Sequence, residues 1–138
     1  MASSAPQERD HVMQEQVLLV VEDEAFIAIE LEEIAAGTGF KVVSARSSYE
    51  ATSLLASAKV DFVLLDLVLN GQPCFPLARR LLASGIRFAF CSGWSDGQLP
   101  VDFKSIPLIS KPFFEDEVRN VIAPGLAGLV SGPVVGPR

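Results

Sequence analysis

The chain has little of several features that mark common classes of protein. Its 138 residues include two cysteines, Cys74 and Cys91, which form neither a metal-ligand spacing nor a disulfide framework. The N-terminus lacks the apolar core of a signal peptide, and no apolar stretch approaches the ~20 residues of a membrane span. We therefore expect a soluble protein of the reducing cytoplasmic compartment, in which Cys91 is a small buried hydrophobe.

Basic charge is also scarce. The chain has 11 lysines and arginines against 17 aspartates and glutamates, which gives a formal net charge of −6. Because a surface that grips nucleic-acid phosphates is basic, nucleic acid is not an expected partner. The only basic doublet, Arg79-Arg80, lies in a helical pattern and is typical of a solvated helix face.

The pattern of apolar residues predicts one domain in which strands and helices alternate. Short apolar runs of the kind found in buried parallel strands occur at residues 17–21, 40–45, 62–65, 88–91 and 107–110. Helical spacing occurs at residues 25–36, 48–58, 77–84 and 114–122. Ser47 and Glu50 have the spacing of a capping box. With short, right-handed connections, this order makes a doubly wound (βα)₅ parallel α/β sheet.

Three segments depart from this repeat. Residues 1–15 are polar and are interpreted as a mobile leader. Residues 124–138 are rich in glycine and proline and are interpreted as a flexible tail, which leaves residues 16–123 as the folded domain. The fourth helix of the repeat would fall at residues 95–104. A glycine and a proline make that segment a poor helix former, so we expect a short, irregular or mobile element.

Four of the predicted strands end on polar residues that could serve one site. Glu22 and Asp23 follow the first strand, Asp66 the third, Ser92 the fourth and Lys111 the fifth. Each alone has an ordinary explanation, such as a helix cap, a turn or a surface lysine. Open α/β sheets bind ligands beyond the carboxyl ends of their strands, however, so these groups are expected to converge. Such a set can bind Mg²⁺ and accept a phosphoryl group on an aspartate.

The three acidic residues are unfavourable neighbours without a counter-ion. Two carboxylates about 4 Å apart repel each other by roughly 4 kcal/mol at an effective dielectric constant near 20. A cluster of Glu22, Asp23 and Asp66 therefore needs a bound cation or a proton. A few hard oxygen ligands that leave room for water and phosphate suit Mg²⁺.

Together these motifs resemble those of two-component response-regulator receiver domains over about residues 16–123. The stretch Val20–Glu24 resembles the acidic motif of the family's first strand, and Leu64-Leu65-Asp66 resembles the strand that carries the phosphoacceptor. Ser92-Gly93 matches the family's hydroxyl-plus-small-residue signature, and Lys111-Pro112-Phe113 matches its closing motif. The resemblance implies a flavodoxin-like sheet with the strand order 2-1-3-4-5.

The resemblance also implies phosphorylation of Asp66 by the phosphohistidine of a sensor histidine kinase. Asp66 would be the nucleophile, Lys111 would pair with the phosphoryl oxygens, and Ser92 would hydrogen-bond one of them. Phosphoryl transfer needs mainly positioning and charge stabilisation, which these residue types supply. The chain would catalyse its own phosphorylation without being an enzyme, and the apolar Val68 beside the acceptor implies slow hydrolysis.

Mg²⁺ is the cofactor that the resemblance implies. Asp23 and Asp66 would bind the ion directly, and Glu22 would bind it through water. The backbone carbonyl of Val68 would be a further ligand. No other cofactor is implied.

Two departures from the usual receiver pattern concern the output. Leu108 stands where ordinary receivers carry an aromatic switch residue, and Asn70-Gly71 stands where a proline usually follows the acceptor.

The stretch Phe90–Trp94 resembles the signature of an atypical alphaproteobacterial subgroup nicknamed "FAT GUY". Its members are often single-domain receivers that work with histidine kinases of the HWE type. We therefore expect signalling to order residues 95–104 instead of using the aromatic switch.

The residues leave other functions open. A receiver-like module that acts through protein contacts alone, or a phosphate sink for a shared kinase, has the same fold. A phosphatase of the haloacid-dehalogenase type needs a second aspartate where this chain has Val68, and the acidic first loop disfavours a flavodoxin-like cofactor carrier. The expected partners are a histidine kinase and a downstream protein, with neither nucleic acid nor membrane. The expected state is a monomer or weak dimer.

Overall fold

The computed structural model describes residues 15–94 and 96–126 of the chain. The predicted leader, residues 1–15, and the predicted tail, residues 124–138, therefore lie outside the described residues except at their inner ends. In the part of the chain that the structure describes, no helix is long and apolar enough to cross a membrane.

A five-stranded parallel sheet forms the centre of the domain. Its strands are β1 (Val17–Val21), β2 (Lys41–Ala45), β3 (Phe62–Leu65), β6 (Arg87–Ser92) and β7 (Leu108–Ser110), while β4 (Val68–Leu69) and β5 (Gln72–Pro73) form a separate antiparallel hairpin. The order across the sheet is β2-β1-β3-β6-β7, and every neighbouring pair is parallel. Since the hairpin strands do not enter the sheet, this order confirms the predicted 2-1-3-4-5. Cys91, in β6, is 1% exposed, as predicted.

Helices cover both faces of the sheet. Within the described residues they are α1 (Ala25–Thr38), α2 (Ser48–Ser57), α3 (Phe75–Ser84) and α4 (Glu115–Leu126). Successive side chains of a strand point to opposite faces, so β1 contributes to two apolar layers. Leu18 and Val20 pack with residues of α1 and α4, whereas Leu19 and Val21 pack with residues of α2 and α3. The predicted doubly wound α/β fold is thereby confirmed.

The helix α2 begins with the predicted capping box in a modified form. Ser47 Oγ accepts a hydrogen bond from the backbone N–H of Glu50 at 3.1 Å. In return, Glu50 Oε1 accepts a hydrogen bond of 2.6 Å from the N–H of Arg46, one residue before the expected donor Ser47. The two bonds fix the direction in which the chain enters the helix.

The helix α4 is longer than predicted. It continues to Leu126, past the predicted end, and includes Pro124. The carbonyl of Pro124 accepts a hydrogen bond from Arg87 Nη1 at 3.3 Å. A β-carbon added at Gly125 would lie 2.9 Å from Cδ2 of Phe62, so the helix approaches the sheet closely there. Residues 124–126, which were expected in the tail, therefore belong to this helix.

Alanine substitutions at the helical glycines Gly37 and Gly125 are expected to change the free energy of unfolding in opposite directions. At Gly37, in α1, nothing lies within 4 Å of an added β-carbon. Gly37→Ala is therefore expected to raise the free energy of unfolding by about 0.5–1 kcal/mol through helix propensity. At Gly125 the added carbon would press on the buried ring of Phe62, so Gly125→Ala is expected to lower that free energy by about 1–3 kcal/mol. Urea denaturation measures both changes, and equal effects would contradict the close packing of α4 on Phe62.

The segment predicted to be short and irregular is confirmed as such. Two 3₁₀ turns, Asp96–Gln98 and Val101–Phe103, occupy it in place of an α-helix. Phe103 is nevertheless fully buried and packs against the rings of Phe75 and Phe90. The irregular backbone is thus anchored to the core by an aromatic side chain.

Candidate functional site

The ends of β1 and β3 place acidic residues at one edge of the sheet. The two strands pair in parallel with Val21 opposite Leu65, so Glu22 and Asp66 come next in each strand. The backbone hydrogen bonds continue past the strand ends, because the N–H of Asp66 donates to the carbonyl of Val21 at 3.0 Å. On the other side, the N–H of Glu22 donates to the carbonyl of Ala45 at 3.1 Å. The sheet itself therefore fixes the backbone of the site.

Three carboxylates meet at this edge. One carboxylate oxygen from each of Glu22, Asp23 and Asp66 lies within 4.8 Å of the other two. Glu22 is fully buried, Asp66 is 7% exposed, and Asp23 is partly exposed. Each carboxylate accepts a backbone hydrogen bond of 3.1 Å: Glu22 Oε2 from Glu24, Asp66 Oδ1 from Val68, and Asp23 Oδ2 from Asn70.

Lys111 supplies positive charge to the cluster. Its Nζ lies 2.8 Å from Glu22 Oε1 and 2.9 Å from Asp66 Oδ2, so the ammonium bridges two of the carboxylates. The backbone N–H of Lys111 donates to the carbonyl of Ser92 at 2.9 Å, which joins this part of the chain to the end of β6. When all four groups are charged, three carboxylates and one ammonium leave a net charge of −2. A divalent cation would neutralise that charge.

Burial has the largest effect on the pKa of Glu22. Removal from water raises the pKa of Glu22 from 4.5 to about 7, although the hydrogen bond from Lys111 lowers it. Burial also lowers the pKa of Lys111, but its hydrogen bonds to Glu22 and Asp66 outweigh this effect and leave that pKa above its usual value. Lys111 therefore stays charged at neutral pH, whereas Glu22 holds a proton more readily than an ordinary glutamate.

The two remaining predicted site residues lie beside this cluster. Ser92, at the end of β6, is 2% exposed, and its Oγ accepts a hydrogen bond from the N–H of Trp94 at 3.3 Å. That bond leaves the hydroxyl proton of Ser92 available for donation. Val68 is the first residue of the hairpin, and its backbone N–H donates a hydrogen bond of 3.1 Å to Asp66 Oδ1. The structure therefore places the predicted site residues at the same edge of the sheet.

The donor set fits a small divalent cation. Mg²⁺ is usually held by one or two carboxylates, with waters and phosphate oxygens as its other ligands. Two oxygens on opposite sides of a Mg²⁺ ion are about 4.2 Å apart. The carboxylate oxygens of Asp23 and Asp66 lie within 4.8 Å of each other, so they would need little adjustment to hold one ion, and the Glu22 oxygen lies within 4.8 Å of both.

Two features around Asp66 are missing from the sequence-based predictions. The thiol of Cys74 donates to the backbone carbonyl of Asp66 at 2.8 Å. Burial, together with the charge of Asp66, raises the pKa of Cys74 to about 12, so the thiol stays protonated and can donate. The second feature is the β4–β5 hairpin, which occupies the predicted loop. Its signal was present in the dipeptide Asn70-Gly71, which is typical of a two-residue hairpin turn.

Comparison with known proteins rests on solved structures, because no protein-family model and no curated protein sequence matches the chain. SdrG from Sphingomonas melonis Fr1 is 32% identical, and the alignment covers 81% of this chain and 96% of SdrG with a TM-score of 0.66. The REC domain of the response regulator PhyR from Erythrobacter litoralis is 26% identical over 88% of this chain and 97% of that domain, with a TM-score of 0.74. The chain belongs to the response-regulator receiver family.

More distant receivers have the same fold. A CheY-like receiver domain from Methylobacillus flagellatus is 21% identical over 80% of this chain and 98% of its own length, with a TM-score of 0.70. In the receiver described here, Leu108 lies in β7 and is partly buried. It packs against the apolar layer formed with α2 and α3. An aliphatic side chain therefore occupies the position three residues before Lys111.

Proposed function

We propose that this receiver accepts a phosphoryl group on Asp66 from the phosphohistidine of a sensor histidine kinase, in a Mg²⁺-dependent phosphorelay. The observation that carries the proposal is the position of Lys111, whose ammonium contacts both Asp66 and the buried Glu22. A cation held in place beside a nearly buried carboxylate is the kind of group that stabilises charge during phosphoryl transfer. A module that works through surface contacts alone would not need this crowding of charges.

In the proposed reaction, an oxygen of Asp66 attacks the phosphorus atom. The O–P bond forms while the P–N bond to the histidine breaks, and the electron pair of the broken bond returns to the imidazole nitrogen. Each oxygen of Asp66 already accepts one hydrogen bond, Oδ1 from Val68 and Oδ2 from Lys111. Since a carboxylate oxygen has two lone-pair sites, one remains for the attack. The product is an aspartyl phosphate.

Lys111 and Ser92 are the proposed partners of the transferred phosphoryl group. Lys111 stays charged because Glu22 and Asp66 raise its pKa against the effect of burial. Its ammonium would neutralise a phosphoryl oxygen. Ser92 would donate a hydrogen bond from its hydroxyl to another phosphoryl oxygen, because in the hydrogen bond from Trp94 the Ser92 oxygen acts only as acceptor. Glu22 would keep the lysine oriented during transfer.

The acidic cluster is the proposed Mg²⁺ site. We propose Asp23 and Asp66 as direct ligands, Glu22 as a ligand through water, and the carbonyl of Val68 as a further ligand. The net charge of −2 that the cluster carries when all four groups are ionised supports this assignment, as do its closely spaced oxygens. When bound, the ion would neutralise negative charge on the transferred phosphoryl group.

Binding of beryllofluoride, a phosphoryl mimic, tests the proposal. With Mg²⁺ present, we expect wild type to bind the mimic, with NMR shift changes at the strand ends and in residues 96–104. Asp66→Asn should show no binding. Asp116→Asn removes an exposed carboxylate that pairs with Arg119 on α4, so it is the matched control and should behave like wild type. Absence of binding in folded wild type would contradict phosphorylation and favour the contact-only module.

Protein contacts are the proposed output of this receiver. One similar structure is PhyR from Bartonella quintana, an anti-anti-sigma factor that is 26% identical and of which this chain spans 48%. We further propose that the protein is cytoplasmic and that phosphorylation orders residues 96–104. The stretch Phe90–Trp94 would place the chain in the "FAT GUY" subgroup, and its kinase would then be of the HWE type. The apolar side chain of Val68 positions no water, so we expect slow hydrolysis of the aspartyl phosphate. A phosphate sink would share this chemistry and lack the downstream partner.

The raised pKa of Glu22 predicts how stability depends on pH without metal. Glu22 titrates at about 7 in the folded protein, against an ordinary value of 4.5, so the folded state binds more protons between these two values. For this group, stability is therefore greatest below about pH 4.5 and falls as the pH rises to about 7. Glu22→Gln should flatten that slope. Urea denaturation across this pH window measures it, and an unchanged slope in the variant would contradict the assignment to Glu22.

A further inference from the structure

We propose that the backbone N–H of Asn70 is a positioning group for Asp23, through which the β4–β5 hairpin orients the metal site. This inference rests on the proposed function, because it concerns Asp23 as a ligand of Mg²⁺. The contact that carries it joins residues 47 positions apart: the N–H of Asn70 donates to Asp23 Oδ2 at 3.1 Å. A carboxylate that is held through one oxygen keeps its other oxygen for a cation.

The turn of the hairpin makes this donation possible. Asn70 and Gly71 have φ angles of 53° and 80°, as in the type I′ turns that join two-residue hairpins. The flanking strands pair with Leu69 opposite Gln72. The side-chain amide of Asn70 also donates to the carbonyl of Arg46, at 3.4 Å, just beyond β2. The turn is therefore hydrogen-bonded to the segments that directly follow β1 and β2.

The same hairpin also holds the phosphoacceptor. At its start, the N–H of Val68 donates to Asp66 Oδ1 at 3.1 Å. Directly after its end, the thiol of Cys74 donates to the backbone carbonyl of Asp66 at 2.8 Å. The two ends of the hairpin thus contact Asp66, and its tip contacts Asp23. One short element orients two carboxylates that come from different strands.

The residue type at position 70 decides whether the donor exists. Proline would have no N–H to donate, and most other residues resist a φ of 53°. Asparagine supplies the N–H and is among the residues that tolerate this left-handed conformation. The requirement is therefore for an N–H in a left-handed turn. Two measurements test it: the Mg²⁺ affinity of turn variants, and exchange of the Asn70 amide in a variant that leaves the turn sequence unchanged.

The Mg²⁺ affinity of variants in the turn tests the inference. Asn70→Pro removes the N–H and also excludes the φ of 53°, because the proline ring fixes φ at about −65°. We expect it to weaken Mg²⁺ binding by roughly 10-fold to 100-fold, as loss of a group that orients a metal ligand does. Asn70→Gly keeps the N–H and permits a positive φ, so its affinity should stay within about 3-fold of wild type. Gly71→Ala strains the same turn but keeps the N–H, and its affinity should also stay close to that of wild type. Calorimetric titration of the full chain measures all four proteins.

Amide hydrogen exchange of Asn70 gives a second measurement that does not depend on the folding of Asn70→Pro. Without Mg²⁺, we expect this amide to exchange at least about 10-fold faster in Asp23→Ala than in wild type, because its acceptor is gone. Unchanged exchange would overturn the inference. So would equal affinities in Asn70→Pro and Asn70→Gly, or equal losses in Asn70→Pro and Gly71→Ala.

These outcomes also separate the inference from the proposed function. If wild type binds Mg²⁺ and the turn variants do not differ, the positioning role of Asn70 is wrong and the metal site stands. If folded wild type binds no Mg²⁺, both proposals are overturned.

Discussion

Lys111→Met is expected to lower the free energy of unfolding by about 3 kcal/mol in the absence of Mg²⁺. The variant removes the ammonium that lies 2.8 Å from Glu22 Oε1 and 2.9 Å from Asp66 Oδ2. Breaking one partner of a buried charge pair is costly because the other charge stays buried without compensation. Glu22 is fully buried, while the side chain of Lys111 is 19% exposed, so we expect an effect near the lower end of the usual range.

The double variant Glu22→Gln/Lys111→Met separates the charge effect from lost packing. It removes the buried carboxylate together with its partner, so it should recover most of the stability lost in Lys111→Met. Urea denaturation of wild type, the two single variants and the double variant completes a double-mutant cycle. A double variant as unstable as Lys111→Met would show that packing, and not the buried charge, explains the loss.

Lys111→Met should also change metal binding and phosphoryl acceptance in opposite directions. Without the ammonium, the acidic cluster is more negative, so its affinity for Mg²⁺ should rise. The rate of phosphorylation should fall by roughly 100-fold or more, as expected when a preorganised charge-stabilising group is removed. Calorimetric titration with Mg²⁺ and phosphorylation by a small acyl phosphate measure the two changes. A parallel loss of both would indicate general disruption of the site.

Phe103→Ala is expected to lower the free energy of unfolding by roughly 3–5 kcal/mol, the usual cost of emptying an aromatic core position. Phe103 is fully buried, with ring centroids 5.7 Å from Phe75 and 5.4 Å from Phe90. The guanidinium of Arg79 also lies 5.2 Å from its ring centroid. The substitution would leave a cavity beneath the second 3₁₀ turn and remove these ring contacts.

Val101→Ala is the matched control for Phe103→Ala. Val101 lies in the same 3₁₀ turn and is 81% exposed, so its truncation should change stability by less than about 0.5 kcal/mol. Guanidinium or urea denaturation compares the two variants. Similar small effects at both positions would contradict the anchoring of this segment by Phe103.

Continuous apolar runs made the sheet predictable. β1 and β3 begin and end at the predicted residues, because a strand buried on both faces leaves an uninterrupted apolar run. The convergence of Glu22 and Asp66 followed, since both lie just beyond those runs at the same edge of the sheet. The strands β4 and β5 have two residues each, too few to show a period of two, so only a loop was predicted there.

Contacts between distant elements were not predictable from local pattern. Neither the thiol of Cys74 on Asp66 nor the N–H of Asn70 on Asp23 has a signature in its own neighbourhood. The same limit applies to the irregular segment. Its poor helix propensity was correctly interpreted, but propensity says nothing about the space between Phe75 and Phe90 that Phe103 fills. Packing on the sheet likewise extends α4 through residues 124–126.

The order of the strands along the chain has a consequence for synthesis. β1 lies between β2 and β3 in the sheet, whereas Lys111 follows β7, the last strand. Because a growing chain leaves the ribosome N-terminus first, the strands that carry the carboxylates emerge before the lysine. The acidic groups can therefore meet while their counter-charge is still missing, which disfavours an early sheet of β1, β2 and β3. Docking of β7 completes the sheet and at the same moment brings the neutralising ammonium to the site.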